Sequence, residues 1–172
     1  MIKFIDLFNV VDTHTQESIK ELKNIPQSPK WHPEGDALTH TIIVYNRAKK
    51  YNDINLLLGA FFHDIGKLTT TFKNKKDHWA AHAHEKKSLK YVKNNQDVIE
   101  KLGGDYKKVY DIVHHHMRIK YYDDMKPIKQ ERMRNFHVFN ELVQFSKIDD
   151  MSNVNLKEIN IASQIMERII NE

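Results

Sequence analysis

The stretch "INLLLGAFF", residues 54–62, is apolar on nearly every side of a helix, and a helix without a polar face has to be surrounded by other elements. It runs directly into "HDIGK", so the chain leaves its most apolar segment through His63 and Asp64. Polar groups at the end of a core segment need partners from the elements around it. Those elements also read as helices. Only five glycines and four prolines interrupt the 172 residues, and apolar residues recur mainly at spacings of three and four. The pattern predicts an all-α fold, a single compact helical bundle of about six to eight helices over residues 1–172, with no strand pattern.

The first helical segment is expected from about Ile2 to Leu22 with a break near Thr13, ending in "NIPQSPKWHPEGD", where three prolines force an extended loop. Asp36 then caps a helix in which Leu38, Ile42 and Tyr45 face the core while His40, Val44 and Arg47 share an adjoining face. The apolar helix covers about Asp53 to Ile65, and Gly66 stands where a helix end would take φ > 0. A polar loop to Trp79 is followed by a helix over about Ala81 to Asn94. After the "LGGDY" turn, a helix from about Tyr106 carries Val109, Ile112, Val113 and the run His114, His115 and His116. Pro127 suits the first turn of another helix, and two more are expected over about Val138 to Met151 and Leu156 to Ile170.

The chain has no cysteine, which excludes disulfide scaffolds, thiolate zinc sites and cysteine nucleophiles, so a metal would be held by His, Asp or Glu. Many of the eleven histidines fall between residues 63 and 116. The net charge of +4 is mild, because 27 basic residues are largely offset by 23 acidic ones; it suits anionic substrates such as nucleotides. The N-terminal "MIKFIDLFNVVDTHTQ" has acidic residues within its apolar part and no small-residue cleavage site, and no segment approaches the roughly 18 apolar residues of a membrane helix. A soluble, cytoplasmic protein with no membrane partner is expected.

Hard divalent cations need oxygen and imidazole ligands converging from several directions, which packed helices supply when each contributes one or two inward side chains. The candidates lie on five separate helices: His40, the His63 and Asp64 pair, His84, the 114–116 triplet, and the "KIDD" carboxylates Asp149 and Asp150. Asp149 shares a face with Leu142 and Phe145 and is favoured; Asp150 falls with Phe139 and Val143.

In this arrangement the chain resembles the HD superfamily of metal-dependent phosphohydrolases, whose single His, His-Asp doublet and distant Asp are matched by His40, His63 with Asp64, and Asp149. "HPEGDALTHTIIVYNRA", "HDIGKLTTTF", "HAHEKKS" and "IVHHHMR" resemble more narrowly the HD domain attached to bacterial tRNA nucleotidyltransferases, over roughly residues 31–153. No Gly-Ser doublet leads into a paired-aspartate strand, so the likeness implies a free-standing HD domain and not CCA addition. Domains of that branch act as 2′,3′-cyclic phosphodiesterases or phosphatases. The resemblance implies one metal held by His40, His63, Asp64 and Asp149, and a second drawing on Asp64, His84 and His116 or His115. His116, immediately before Met117 and Arg118, matches the motif best. The family pattern has glycine where Ala83 stands, a departure of little expected weight because His84 is retained.

The residue types suit phosphoester hydrolysis: metal acidifies water and polarises a phosphoryl oxygen, and Asp64 can steer the attack. Lys67, one turn beyond His63, can stabilise phosphate charge, with Arg47, Arg118 and His115 as further substrate contacts. The ion stays open among Mn, Fe, Co, Ni, Zn and Mg, as one or two equivalents. His32, Glu34 and Asp36 read as loop and cap residues at the site edge, His78 and His82 as surface residues bordering the cleft, and His14 and His137 as structural. The expected substrate is a nucleotide or RNA-end phosphate. The alternative is a nucleotide- or RNA-binding or sensing module that keeps the helical fold without catalysis.

Overall fold

A computed structural model describes residues 1–171. The α-helices are α1 (Phe4–Phe8), α2 (Thr13–Glu21), α3 (Ala37–Ala48), α4 (Ile54–Phe62), α5 (Lys67–Thr70), α6 (His84–Asn94), α7 (Gln96–Lys101), α8 (Tyr106–His115), α9 (Pro127–Arg134), α10 (Phe139–Ile148) and α11 (Leu156–Asn171). Short 3-10 turns cover Leu22–Asn24, Lys49–Tyr51 and Arg118–Tyr121. The helical bundle is the one the periodicity implies, and its starts are set as the sequence suggests: the carboxylates of Asp36 and Asp53 accept from the first free N–H groups of α3 and α4, and Pro127 opens α9.

The break expected near Thr13 falls between α1 and α2, where Asp12 caps α2 and is tied across the fold to Asn95. One element was not anticipated. The polar stretch between Thr70 and Ala81 forms a two-stranded antiparallel hairpin, β1 (Thr71–Lys73) with β2 (Trp79–Ala81). Three-residue strands are too short to show an alternating pattern.

Buried apolar side chains from α1, α3, α4, α6, α8, α10 and α11 make one contiguous cluster. As expected, α4 is central: every residue from Leu56 to Phe62 is buried. Gly59 lets α8 approach it, since a Cβ there would lie 2.6 Å from Ile112 Cγ2. α3 is equally enclosed, with Ala37 through Tyr45 all buried, His40 included. Phe4, Tyr45 and Phe61 pack with ring centroids 5.0 to 6.2 Å apart, which docks α1 against both helices.

Three local expectations are corrected. Gly66 has φ −61, not a positive value; glycine is needed because a Cβ would sit 2.1 Å from the His84 carbonyl oxygen and 2.7 Å from Ser88 N. The residue serves a close approach between the "HDIGK" turn and α6. Ala83 does hold a left-handed backbone, φ 56, as the residue preceding α6. The glycine of the family pattern therefore has a conformational reason there, and the alanine is strained.

Arg47 faces away from the histidines. Its Nε and Nη2 donate to the two carboxylate oxygens of Glu158 at 2.7 and 2.9 Å, and its Nη1 donates to the carbonyls of Asp150 at 2.6 Å and Ile148 at 3.3 Å. The guanidinium expected to meet phosphate is instead engaged as a clamp that joins α11 to the segment carrying Asp149.

Ala83→Gly should raise stability by about 0.5–1 kcal/mol, the relief of a left-handed alanine less the entropy of an added glycine, read as a higher urea midpoint. Arg47→Ala should cost ~1–3 kcal/mol through its charged hydrogen bonds. Arg47 holds the Glu158 carboxyl below its ordinary value of 4.5, with burial opposing. A depressed carboxyl stabilises the fold above its unfolded pKa, so this contribution is complete at neutral pH and fades as pH falls below about 4.5. The gap in urea midpoint between Arg47→Ala and the parent chain should shrink over that window.

Candidate metal centre

Helix ends build the site. His63, His116 and Asp149 are the C-cap residues of α4, α8 and α10, His84 is the first residue of α6, and His40 stands in the first turn of α3. The carbonyl ends of three helices thus point toward one place, where their partial negative charge favours a cation.

The histidines are held in a common way. Nδ1 of His63 donates to the Ala60 carbonyl at 2.9 Å, that of His84 to Ala81 at 3.0 Å, and that of His116 to Val113 at 2.7 Å. A carbonyl only accepts, so each bond fixes the proton on Nδ1 and turns the Nε2 lone pair inward. His40 uses a carboxylate for the same purpose: its Nδ1 donates to Glu34 Oε1 at 2.7 Å, and Glu34 also takes the His32 Nδ1 at 2.9 Å. Glu34 is driven down to about 2, since these two histidines outweigh the burial that would raise it.

The inward atoms fall into two neighbouring groups. In one, His40 Nε2 lies 2.8 Å from Asp149 Oδ1 and 3.4 Å from His63 Nε2. In the other, His84 Nε2 lies 3.2 Å from His116 Nε2 and 3.1 Å from Asp64 Oδ1. Asp64 stands between them, with Oδ2 toward the first group, 3.2 Å from His63 Nε2 and 3.5 Å from His40 Nε2. Burial opposes ionisation of Asp64 and Asp149, yet the neighbouring groups, His63 and Lys67 for the one and Lys120 and His40 for the other, hold both well below the usual carboxylate range. Burial, reinforced by His63 and His84, keeps His116 neutral, its pKa well below the ordinary histidine value.

Donor chemistry and geometry fit a divalent cation. His84 Nε2 and His116 Nε2 face each other at 3.2 Å although each ring has already given its Nδ1 proton to a carbonyl. Asp64 Oδ2 is fully buried and accepts no aligned hydrogen bond, although Lys67 Nζ lies 2.6 Å away. His40, His63 and Asp149 form one set of ligand atoms within 4.8 Å of one another, and Asp64, His84 and His116 form another. Imidazole and carboxylate suit Mn, Fe, Co, Ni and Zn, and the oxygen donors leave Mg open.

The remaining sequence candidates are sorted by burial and direction. Asp149 is buried, whereas Asp150 is exposed and its carboxylate caps Ser152. His116 turns inward; His115 turns away from the inward group, packing against Phe136 and His114 at centroid distances of 5.0 and 4.5 Å. Lys67 is buried, with Nζ 2.6 Å from both Asp64 Oδ2 and Gln27 Oε1.

Arg118 is exposed and is not part of the cavity wall, whereas Lys120, two residues on, places Nζ 2.6 Å from Asp149 Oδ2. Arg118 directly follows the histidine triplet, but it stands two residues from inward His116, whereas Lys120 stands four residues on, the spacing that shares a helical face. Glu34 was expected only at the site edge; the His-Pro-Glu spacing before the Asp36 cap was the available signal for its role beneath His40. Ser88 had no signal: its Oγ donates to the His63 carbonyl at 2.7 Å and accepts from Gly66 N at 2.9 Å, pinning the turn.

Above the centre opens a cavity of about 850 Å³ whose wall includes His40, Asp64, Lys67, His84, Lys120 and Asp149. No helix among the described residues is long and apolar enough to cross a membrane.

The chain is similar to known proteins over part of its length. A 75-residue stretch is 37% identical to the Multifunctional CCA protein of Thioalkalivibrio sulfidiphilus, covering 43% of this chain and 18% of that protein. A 78-residue stretch is 33% identical to the Multifunctional CCA protein of Psychromonas ingrahamii, covering 44% and 18%. The matched segment is thus under a fifth of these relatives' length. The HD domain family model matches residues 37–145, a span that contains His40, His63, Asp64, His84 and His116 and stops just short of Asp149. With well over half of its length matched, the chain belongs to the HD domain family.

Proposed function

We propose that the chain is a metal-dependent phosphohydrolase acting on a phosphoester of a nucleotide or an RNA end, with a 2′,3′-cyclic phosphate or a phosphomonoester as the favoured form. The observation that carries this reading is Asp64: a buried, ionised carboxylate between two sets of inward imidazole lone pairs, opening onto a cavity. A ligand shell of this kind serves no evident need in a purely binding or structural protein. The resemblance to HD domains of tRNA nucleotidyltransferases supports a nucleotide or RNA phosphate as substrate.

On this reading His40, His63, Asp64 and Asp149 hold one divalent cation, and Asp64, His84 and His116 a second. Bound there, the ions supply Lewis acidity, polarising a phosphoryl oxygen and making water acidic enough to attack near neutral pH. The protein's own groups do the rest. Glu34 and three backbone carbonyls keep the four rings aimed so that no reorientation is needed during reaction. Lys67 and Lys120 stand at the two carboxylates with ammonium protons available to phosphate oxygens, adding positive charge where negative charge develops.

Incubating the purified protein with Mn²⁺, Co²⁺ or Ni²⁺ and a panel of cyclic, monoester and triphosphate substrates should give turnover that EDTA abolishes. Glu34→Gln should lower metal affinity or activity by roughly 10–100-fold, the usual effect of losing the partner behind a ligating histidine. Asp64→Asn should lose more, with bound metal counted by elemental analysis. A protein that binds no metal and hydrolyses none of these esters would sink the proposal, and ligand binding insensitive to Asp64→Ala would favour a sensing module.

A further inference from the structure

Both tryptophans of the chain stand on the wall of the cavity above the centre. Trp31 comes from the loop before α3 and is 66% exposed; Trp79 comes from β2 and is partly buried. Tyr121, from the 3-10 turn after α8, adds a third ring to the same wall and is 60% exposed. Three separate elements thus bring large apolar rings to one cavity, where they remain in contact with water. Exposed aromatic surface gathered beside a polar site marks a place where something flat is received.

The rings are paired with cations. Lys30 Nζ lies 4.7 Å from the Trp31 ring centroid, and Lys73 Nζ lies 5.2 Å from that of Trp79. Lys75 and Lys76, in the hairpin turn beside Trp79, are exposed. A stacking ring with an ammonium beside it is how proteins receive unpaired nucleic acid: the base lies on the ring and the phosphate meets the cation. The cavity, at about 850 Å³, lies near the upper end of the ~300–1,000 Å³ range for small-ligand clefts. A terminal phosphate at Asp64 therefore leaves room along the wall for further nucleotides.

We propose that Trp31 and Trp79 form a stacking clamp for the bases of a single-stranded oligonucleotide whose terminal phosphate reaches the metal centre. The preferred substrate is then a strand end, not a free mononucleotide. Bases in a duplex are stacked on one another and offer no free face, so the clamp selects unpaired strands. The inference rests on the hydrolytic reading for which part of the ligand lies at Asp64, whereas the clamp itself depends only on the rings and their lysines.

The test uses the full chain in EDTA, so that binding is read without turnover. A short single-stranded oligoribonucleotide bearing a 3′-phosphate, the corresponding mononucleotide and a blunt duplex are titrated against it. Binding is followed by quenching of tryptophan fluorescence and by anisotropy of the labelled strand. The oligonucleotide should bind at least about 10-fold more tightly than the mononucleotide or the duplex, and Trp31→Ala and Trp79→Ala should each weaken it by about 5- to 100-fold. Trp79→Phe should restore most of that loss, which separates stacking from collapse of the hairpin.

Equal affinity for oligonucleotide and mononucleotide, duplex binding as tight as single strand, or oligonucleotide affinity unchanged in Trp31→Ala would each overturn the clamp. The two proposals fail separately. Mn²⁺-dependent turnover of mononucleotide esters without oligonucleotide preference removes the clamp and leaves the hydrolase; tryptophan-dependent strand binding with no turnover of any ester removes the hydrolase and leaves the clamp.

Discussion

Four imidazole Nε2 atoms and two ionised carboxylates face one another in the interior, with the carbonyl ends of three helices aimed at the same point. Burying such a set costs free energy unless positive charge sits within it. Desolvation works against Asp64 and Asp149, and what keeps both ionised is the pair of cations Lys67 and Lys120 together with the imidazoles of His63 and His40 beside them. The rest of the molecule can be understood as whatever holds those groups together against their own repulsion and desolvation.

That support is mostly remote from the chemistry. Arg47 touches none of the inward side chains, yet by binding the carbonyls on either side of Asp149 and the carboxylate of Glu158 it fixes the end of α10 against α11. Gly66 has no side chain to contribute, yet its missing Cβ lets the turn after His63 lie against the start of α6, so His63 and His84 can share Asp64. Ser88 ties the same turn with two hydrogen bonds. The left-handed Ala83 directs α6 into this contact, and its strain is borne by the packing around it.

The periodicity of the chain made the helices legible, because each needs a long apolar stripe and these leave a long signal. The central place of α4 follows from spacing and the Asp36 cap from residue type, whereas spacing only favours Asp149 over Asp150 and burial decides between them. Where the reading failed, the cause was a neighbour or a spacing that the motif alone did not weigh. Arg118 stands next to the triplet, but the cation four residues beyond His116 is Lys120, and a side chain two turns along a correct face met Glu158 before it could meet a phosphate. Gly66 was rightly singled out for the wrong reason, since a glycine required by close approach and one required by positive φ look identical in a sequence.

Lys67 and Lys120 connect the centre to its cavity. Each ammonium lies 2.6 Å from an oxygen of a carboxylate that belongs to the inward set, Asp64 in one case and Asp149 in the other. A cation among those carboxylates competes with the lysines for the same oxygens. It would weaken both ion pairs and free the ammonium groups for a phosphate arriving from the cavity. The two lysines differ in how far they can respond. Lys67 is buried and also held by Gln27, so its reach is short and its position fixed, whereas Lys120 arises from an exposed turn and has a longer path to follow. A fixed cation beside the carboxylate shared by both ligand groups and a more mobile one at the far carboxylate would let a phosphoester be gripped from two sides without disturbing the helices beneath.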